Sequence, residues 1–181
     1  PNQPLRLYGA GADSGTFDYF TEAIVGKAKA IRTDYQPTED DNVTIKGVAG
    51  DTYAMGFLGY AYYEENKDKV KAVAIDHGKG CVLPSRETVL DGTYQPLSRP
   101  LFIYVNVKSL DRPEVQAFVD FYLSPAARRA IRSTGYVELP SEAYRIGQEL
   151  VKRRKAGTFF MELPAGTPLS KFIQELDKEL R

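Results

Sequence analysis

Residues 9–20, GAGADSGTFDYF, bring together three glycines, Asp13, Ser14 and Thr16 directly before a predicted helix. A helix N-terminus presents unpaired backbone amides and the positive end of the helix dipole, which stabilise a nearby anion by about 0.3–2 kcal/mol. Glycines let a ligand approach the backbone, and the two hydroxyls add hydrogen-bond donors. The segment therefore predicts an oxyanion site formed by Ser14, Gly15 and Thr16. A second interpretation, in which Asp13 or Ser14 only caps the helix, explains the same residues.

Asp13 adds an acceptor to this set of donors. A carboxylate accepts a hydrogen bond from a protonated oxyanion such as hydrogen phosphate, whereas it repels sulfate, which offers no proton. We therefore predict that Asp13, Ser14, Gly15 and Thr16 bind phosphate in preference to sulfate.

Motifs for nucleotide binding or covalent catalysis are incomplete in the same loop. A G-x-G-x-x-G motif starting at Gly9 would need a glycine where Ser14 stands, no G-x-x-x-x-G-K occurs, and the G-x-S-x-G elbow is missed by one residue. His77 and Cys81 are the only histidine and the only cysteine, whereas a closed zinc site takes four ligands. We predict a binding protein that has no catalytic residues, no metal and no cofactor.

The charge balance argues against nucleic acid as a partner. The 181 residues include 24 Lys and Arg against 24 Asp and Glu, so no net charge attracts a polyanion or an anionic membrane. No stretch reaches the roughly 18 apolar residues of a membrane span, and PNQPLRLYGAG has neither the basic nor the apolar part of a leader peptide.

The chain changes along its length from alternating strands and helices to helices. Residues 5–8, 55–58 and 69–75 have strand composition, and RPLFIYVNV, residues 99–107, is the strongest predicted strand. Predicted helices start at or near residues 16, 40, 86, 112, 125, 141 and 168. This order predicts the α/β class, with a largely parallel mixed sheet followed by a helical carboxy-terminal segment.

Local signals mark where several helices begin and which faces they bury. Thr38 with Asp41 and Asp111 with Glu114 have capping-box spacing, and Gly50 is placed to end a helix. The apolar faces predicted to pack are Phe17, Phe20 and Ile24; Val115, Phe118, Val119 and Tyr122; Ala143, Ile146 and Leu150; and Leu169, Phe172, Ile173 and Leu176.

DSGTFDYFTEAI resembles the Ser-Gly-Thr loop and following helix of the PstS-type periplasmic phosphate-binding proteins, which are the solute receptors of phosphate ABC transporters. The resemblance continues through EDDNVTIKGVAGDTYAMGFLGYAYYEENKDKVKAV, GCVLPSRETVLDGTYQPLSRPLFIYV and FYLSPAARRAIRSTGYVELP, to about residue 140. It implies a type II periplasmic-binding fold of two α/β lobes with phosphate between them. It further implies phosphate contacts from Ser14, Gly15 and Thr16, an ABC permease as partner, and a periplasmic or exported location.

Two features depart from the family pattern. Better-known members have an arginine four positions and an aspartate two positions before the serine, where this chain has Ala10 and Ala12, and its acid is Asp13. Family members are also considerably longer. The resemblance therefore implies that residues 1–98 form the second lobe, and that residues 99–181 supply a return crossing strand and helices that complete the first lobe.

We accordingly expect a carboxy-terminal fragment of a longer precursor, carrying half of the phosphate site. Its apolar helix faces would be covered by a missing first-lobe polypeptide or by a second copy of the chain, since an amphipathic helix needs a partner for its apolar face. Two other functions stay open from the residues: an effector-sensing regulatory module of the same fold and, with less support, an enzyme acting on phosphate esters.

Overall fold

The computed structural model describes residues 2–157 and 163–181. The chain divides into two compact units, Pro1–Pro84 and Ser85–Arg181, here called the amino-terminal and carboxy-terminal units. The lobe boundary predicted near residue 98 refers to an assembled two-lobe protein, and it stays a prediction.

A parallel three-stranded sheet forms the centre of the amino-terminal unit. Its strands are β1 (Arg6–Ala10), β2 (Gln36–Thr38) and β3 (Ala54–Phe57), in the order β2-β1-β3. Tyr8 pairs with Gln36 on one side and with Gly56 on the other. Helix α1 (Gly15–Val25) follows β1, helix α2 (Asp41–Ala49) follows β2, and helix α3 (Tyr60–Glu65) follows β3. The α/β class predicted from the sequence is therefore confirmed.

Both long helices of this unit bury one side. Phe17 of α1 and Ile45 of α2 are buried, and Thr21 and Thr44 lie on the same helices with almost no exposed surface. The Thr21 hydroxyl donates to the Phe17 carbonyl over 2.9 Å, so its polar atom is satisfied inside the helix. Ile24, expected on the buried face with Phe17, is exposed; it lies in the last turn of α1.

Helices dominate the carboxy-terminal unit. They are α4 (Arg86–Leu90), a 3-10 helix (Val107–Asp111), α5 (Pro113–Tyr122), α6 (Pro125–Ser133), α7 (Ser141–Lys152) and α8 (Leu169–Lys178). Ala143, Ile146 and Leu150 of α7 are buried, as the sequence pattern predicts. Of the apolar face predicted for α5, Val119 is buried whereas Phe118 is exposed.

Two predicted strands are wrong in most of their length. Residues 69–74 form no strand; only β4 (Ile75–Asp76) pairs, antiparallel, with β5 (Cys81–Val82). Residues 99–106 form no strand either. Strand composition expresses a preference, but a strand exists only where a neighbouring backbone supplies hydrogen-bond partners.

Two predicted helix caps are also wrong by one or two residues. Asp40, rather than Thr38, caps α2, and its carboxylate accepts from the Asn42 amide over 2.9 Å. The Thr38 hydroxyl accepts from the Asp40 amide instead, because β2 extends through Thr38. Arg112, rather than Asp111, precedes α5. Within the part of the chain that the structure describes, no helix has both the length and the apolar character needed to cross a membrane.

Candidate functional site

The glycine-rich loop lies at the carboxyl end of the parallel sheet, between β1 and α1. The Gly11 amide donates to the Thr38 carbonyl over 3.0 Å, which ties the loop to the end of β2, and the Ser14 amide donates to the Gly11 carbonyl over 3.1 Å. In open α/β sheets this edge is where ligands bind, since the loops there face solvent and precede helix N-termini.

Ser14 caps α1, so the second interpretation of the sequence describes a real contact. Its Oγ accepts from the Thr16 amide over 3.2 Å, and its backbone has the extended conformation usual for a cap. A serine hydroxyl has one proton and two lone pairs. Because the cap uses only a lone pair, the Ser14 hydroxyl keeps its proton for a ligand, and the two roles are compatible.

Aromatic packing holds the loop and α1 against the sheet. Phe20 of α1 stacks on Phe57 of β3 with ring centroids 4.2 Å apart and ring planes within 2°. The Phe57 ring also fills the space beside Gly9, where a Cβ would overlap it. The glycine at this position is therefore required by the close approach of that ring.

Asp13 lies at the exposed tip of the loop. Its backbone amide is directed at Glu39, with 3.4 Å between the amide nitrogen and Glu39 Oε1. The predicted role of the Asp13 carboxylate as an acceptor for protonated phosphate stays a prediction.

Glu39 is a neighbour of the loop that the sequence analysis did not identify. It directly follows β2, and a Cβ on Gly11 would overlap its carboxylate. A parallel sheet already implies that Glu39 and the loop are neighbours, because parallel strands bring their carboxyl ends to one edge of the sheet. This proximity was missed because the run TEDD was interpreted only as a helix start.

Further carboxylates extend the acidic character on this side of the loop. The pKa of Asp41 is raised, mainly by burial and then by the charges of Asp40 and Glu39, although a hydrogen bond from the Gly59 amide opposes the shift. The Tyr35 hydroxyl donates to the Ala10 carbonyl over 3.3 Å. Its pKa is raised by burial and then by Glu39. Glu39 therefore lies close enough to act electrostatically on Asp41 and Tyr35.

The ion pairs found in the amino-terminal unit lie away from residues 9–16. Arg6 pairs with Asp51 over 2.8 Å, Arg32 with Asp34 over 2.5 Å, and Lys67 with Glu64 over 2.6 Å. Among the residues that the structure describes in this unit, no ion pair involves residues 9–16. The loop therefore contributes hydroxyls and amides, without the arginine that the family pattern would place at Ala10.

His77 lies in the turn that joins β4 and β5, Cys81 is the first residue of β5, and both are exposed. Asp76 Oδ1 accepts from the amides of Gly78 and Gly80 over 2.8 and 3.0 Å, which accounts for the turn. Over residues 2–157 and 163–181, no three or more His, Cys, Asp and Glu side chains group as metal ligands.

The carboxy-terminal unit contains a charge cluster that the sequence did not predict. Glu138, whose side chain is only 9% exposed, accepts hydrogen bonds from Arg86 of α4 and from Arg132 of α6. Burial raises the pKa of Glu138, but the hydrogen bonds from Arg86 and Arg132 outweigh it and lower the pKa to about 2. This cluster links two helices through one carboxylate.

Comparisons with known proteins find a family model, sequence relatives and a similar fold. Residues 1–126 match the family model of the PBP superfamily domain. The chain is 51% identical over 177 residues to Protein SphX of Synechocystis sp., covering 94% of this chain and 52% of that protein. It is 35% identical over 147 residues to Phosphate-binding protein PstS of Staphylococcus haemolyticus, covering 80% of this chain and 45% of that protein.

One solved structure, of a possible phosphate binding protein from Planctomyces limnophilus, is similar with a TM-score of 0.70 and 43% identity. The similarity covers 86% of this chain and 56% of that one. The chain thus spans about half the length of the curated relatives it matches.

Proposed function

This chain belongs to the PBP superfamily, and on that basis we propose that its amino-terminal unit binds inorganic phosphate through Ser14, Gly15 and Thr16. The observation that carries the proposal is the Ser14 cap at the start of α1, where a hydroxyl and helix-start amides come together at the carboxyl edge of a parallel sheet. Relatives named as phosphate-binding proteins support phosphate as the ligand.

The chemistry of the loop suits a small oxyanion. The Ser14 hydroxyl, the Thr16 hydroxyl and the Gly15 amide are donors, and the helix dipole adds a favourable field. Asp13 supplies the acceptor that distinguishes hydrogen phosphate from sulfate. Because the loop carries donors from one unit only, we expect weak binding by this chain alone.

The wider role that we propose is that of a solute receptor for a phosphate ABC importer, working outside the cytoplasm and passing phosphate to a permease. Binding without turnover fits the PstS relatives, which are named for binding. Hydrolysis of p-nitrophenyl phosphate that disappears in Ser14→Ala would contradict this part of the proposal.

A further polypeptide, either a first lobe or a second copy of the chain, is part of the same proposal. Support comes from apolar side chains of the carboxy-terminal unit that face solvent: Leu101 is 59% and Tyr104 74% exposed, and Phe118 of α5 is also exposed. Exposed apolar side chains favour association. Such a partner would supply the remaining phosphate contacts, including a cation.

Titration of the isotope-labelled chain with phosphate and with sulfate, followed by amide NMR, tests the loop. We expect the amides of Ser14, Gly15 and Thr16 to shift with phosphate and much less with sulfate. Ser14→Ala should weaken phosphate binding roughly tenfold, since it removes a charge-assisted hydrogen bond of about 1.5 kcal/mol.

Ser124→Ala is the matched control, because Ser124 caps α6 in the other unit. Both substitutions remove a serine cap and should lower the free energy of unfolding by about 1 kcal/mol. Only Ser14→Ala should change phosphate binding. Equal binding by Ser14→Ala and Ser124→Ala would count against the site.

A further inference from the structure

Glu39 stands beside the loop as a negative charge, next to Gly11 and Asp13, which directly precede the proposed donors. Its Oε1 lies 3.4 Å from the Asp13 amide nitrogen, and its carboxylate takes the space next to Gly11. A carboxylate oxygen and a phosphate oxygen are both anionic acceptors, so both can receive a hydrogen bond from the same loop amide.

The backbone on both sides of Glu39 is held by hydrogen bonds. Thr38 is bonded on one side, because its carbonyl accepts from the Gly11 amide and its hydroxyl accepts from the Asp40 amide over 3.1 Å. Asp40 is held on the other side as the cap of α2. The main chain at Glu39 is therefore fixed between a strand end and a helix start.

We propose that Glu39 is an internal anion that occupies the loop in the ligand-free protein and lowers its affinity for phosphate. This inference rests on the proposed function of the loop. Phosphate then binds only by displacing the Glu39 carboxylate, so that Glu39 regulates the site from within the same unit.

Charge and hydrogen bonding both oppose phosphate while Glu39 is in place. The carboxylate repels a bound phosphate at close range, in an environment that Asp40 and Asp41 already make acidic. It also uses the Asp13 amide as a donor. If the loop is open for only a fraction of the time, the apparent dissociation constant is the intrinsic constant divided by that fraction.

Selectivity follows from the same exchange. An anion that makes several hydrogen bonds to the hydroxyls and amides of the loop compensates for displacing Glu39, whereas an anion with few contacts, such as chloride, does not. Anions that form few hydrogen bonds therefore do not displace Glu39 from the Asp13 amide.

Two substitutions separate the effect of the Glu39 charge from the effect of its hydrogen bond with the Asp13 amide. Glu39→Gln removes the charge and keeps an oxygen acceptor, and Glu39→Ala removes both. We expect the phosphate dissociation constant of Glu39→Gln to fall roughly three- to tenfold, with a smaller fall at high salt because salt screens exposed charges. Glu39→Ala should bind at least as tightly as Glu39→Gln.

The matched control is Glu65→Gln, which removes one negative charge from an exposed residue at the end of α3. Its phosphate affinity should stay within about twofold of the parent chain, since a distant exposed charge is screened. In the ligand-free state, the Asp13 amide resonance should move in Glu39→Ala and stay unchanged in Glu65→Gln.

The outcomes distinguish this inference from the proposed function. If Ser14→Ala weakens phosphate binding while Glu39→Gln behaves like Glu65→Gln or binds more weakly, the loop binds phosphate and the inference about Glu39 is overturned. If neither the parent chain nor any variant binds phosphate, the proposed function fails and the inference fails with it. Circular dichroism of each variant establishes that it is folded.

Discussion

At the scale of single residues, Ser14 shows that a structural contact and a binding role need not compete. The Ser14 hydroxyl accepts from the Thr16 amide as a helix cap, yet its own proton can still be donated to a ligand. The same residue type at the start of α6, Ser124, makes the cap contact with the Ala127 amide over 3.4 Å. A serine cap by itself therefore does not identify a binding site. The neighbouring Gly15 and Thr16 are needed to distinguish the candidate site at Ser14 from the purely structural cap at Ser124.

Glu138 gives the clearest prediction at this scale. Its pKa is lowered from 4.5 to about 2 in the folded protein, so its contribution to stability is fully present above about pH 4.5 and is lost as the pH falls towards 2. Glu138→Gln should therefore lower the free energy of unfolding by about 1–3 kcal/mol at pH 7, because Arg86 and Arg132 are about half exposed and solvent screens part of the interaction. The difference from the parent chain should shrink as the pH falls below about 4.5.

The measurement is urea unfolding at pH 7, 4.5 and 3 for each protein. Glu114→Gln serves as the control, because Glu114 forms an ion pair with Arg112 in which both side chains are well exposed. Exposed pairs contribute about 0–1 kcal/mol. A loss in Glu138→Gln no larger than that in Glu114→Gln would show that the two arginines do not stabilise the fold.

At the scale of elements, α7 and the segment 101–104 show why similar apolar patterns have different outcomes. Helix α7 satisfies its own backbone hydrogen bonds and needs other elements only to cover Ala143, Ile146 and Leu150, which are all buried. Residues 101–104, LFIY, have strong strand composition, but they form no strand in the structure. A helix is specified locally, whereas a strand requires a neighbour.

Ile146 tests the packing of α7, since its side chain is completely buried. Ile146→Ala should lower the free energy of unfolding by about 2–5 kcal/mol, because it removes buried methyl groups and leaves a cavity. Arg145→Ala, on the exposed side of the same helix, should cost less than about 1 kcal/mol. Thermal unfolding of both variants checks this, and similar midpoints for the two would show that α7 does not contribute to the core.

At the scale of the whole molecule, the chain spans about half the length of its curated relatives, and the carboxy-terminal unit exposes Leu101 and Tyr104. Large apolar side chains that are contiguous and exposed mark interaction surfaces more often than isolated ones do. These two facts support the proposal that a further polypeptide completes the phosphate site.

Association can be measured directly on the chain. We expect sedimentation analysis to detect self-association at micromolar concentration, and Leu101→Ser with Tyr104→Ser to reduce it by removing exposed apolar surface. Alternatively, the native protein should carry the completing polypeptide, which an intact mass from the source cell would reveal. A monomer in solution, together with a cellular mass equal to that of this chain, would contradict the proposal.

Much of the loop and of the helices is determined by residues close together in the sequence. The start of α1 after Ser14, the end of α2 at Gly50 and the buried face of α7 all depend on contacts within a few residues, and the sequence predicted each of them. The donors of the candidate site belong to this group, since Ser14, Gly15 and Thr16 are consecutive.

Only the tertiary structure decided which distant residues meet. Parallel pairing of β1 and β2 brings Glu39 to the Asp13 amide across 26 residues, and folding of the carboxy-terminal unit brings Arg86 to Glu138 across 52 residues. The same holds for the segment 99–106, which has strand composition but forms no strand. The physical reason is that helix caps and turns are satisfied within one segment, whereas ion pairs and strand pairing depend on chain separated by tens of residues.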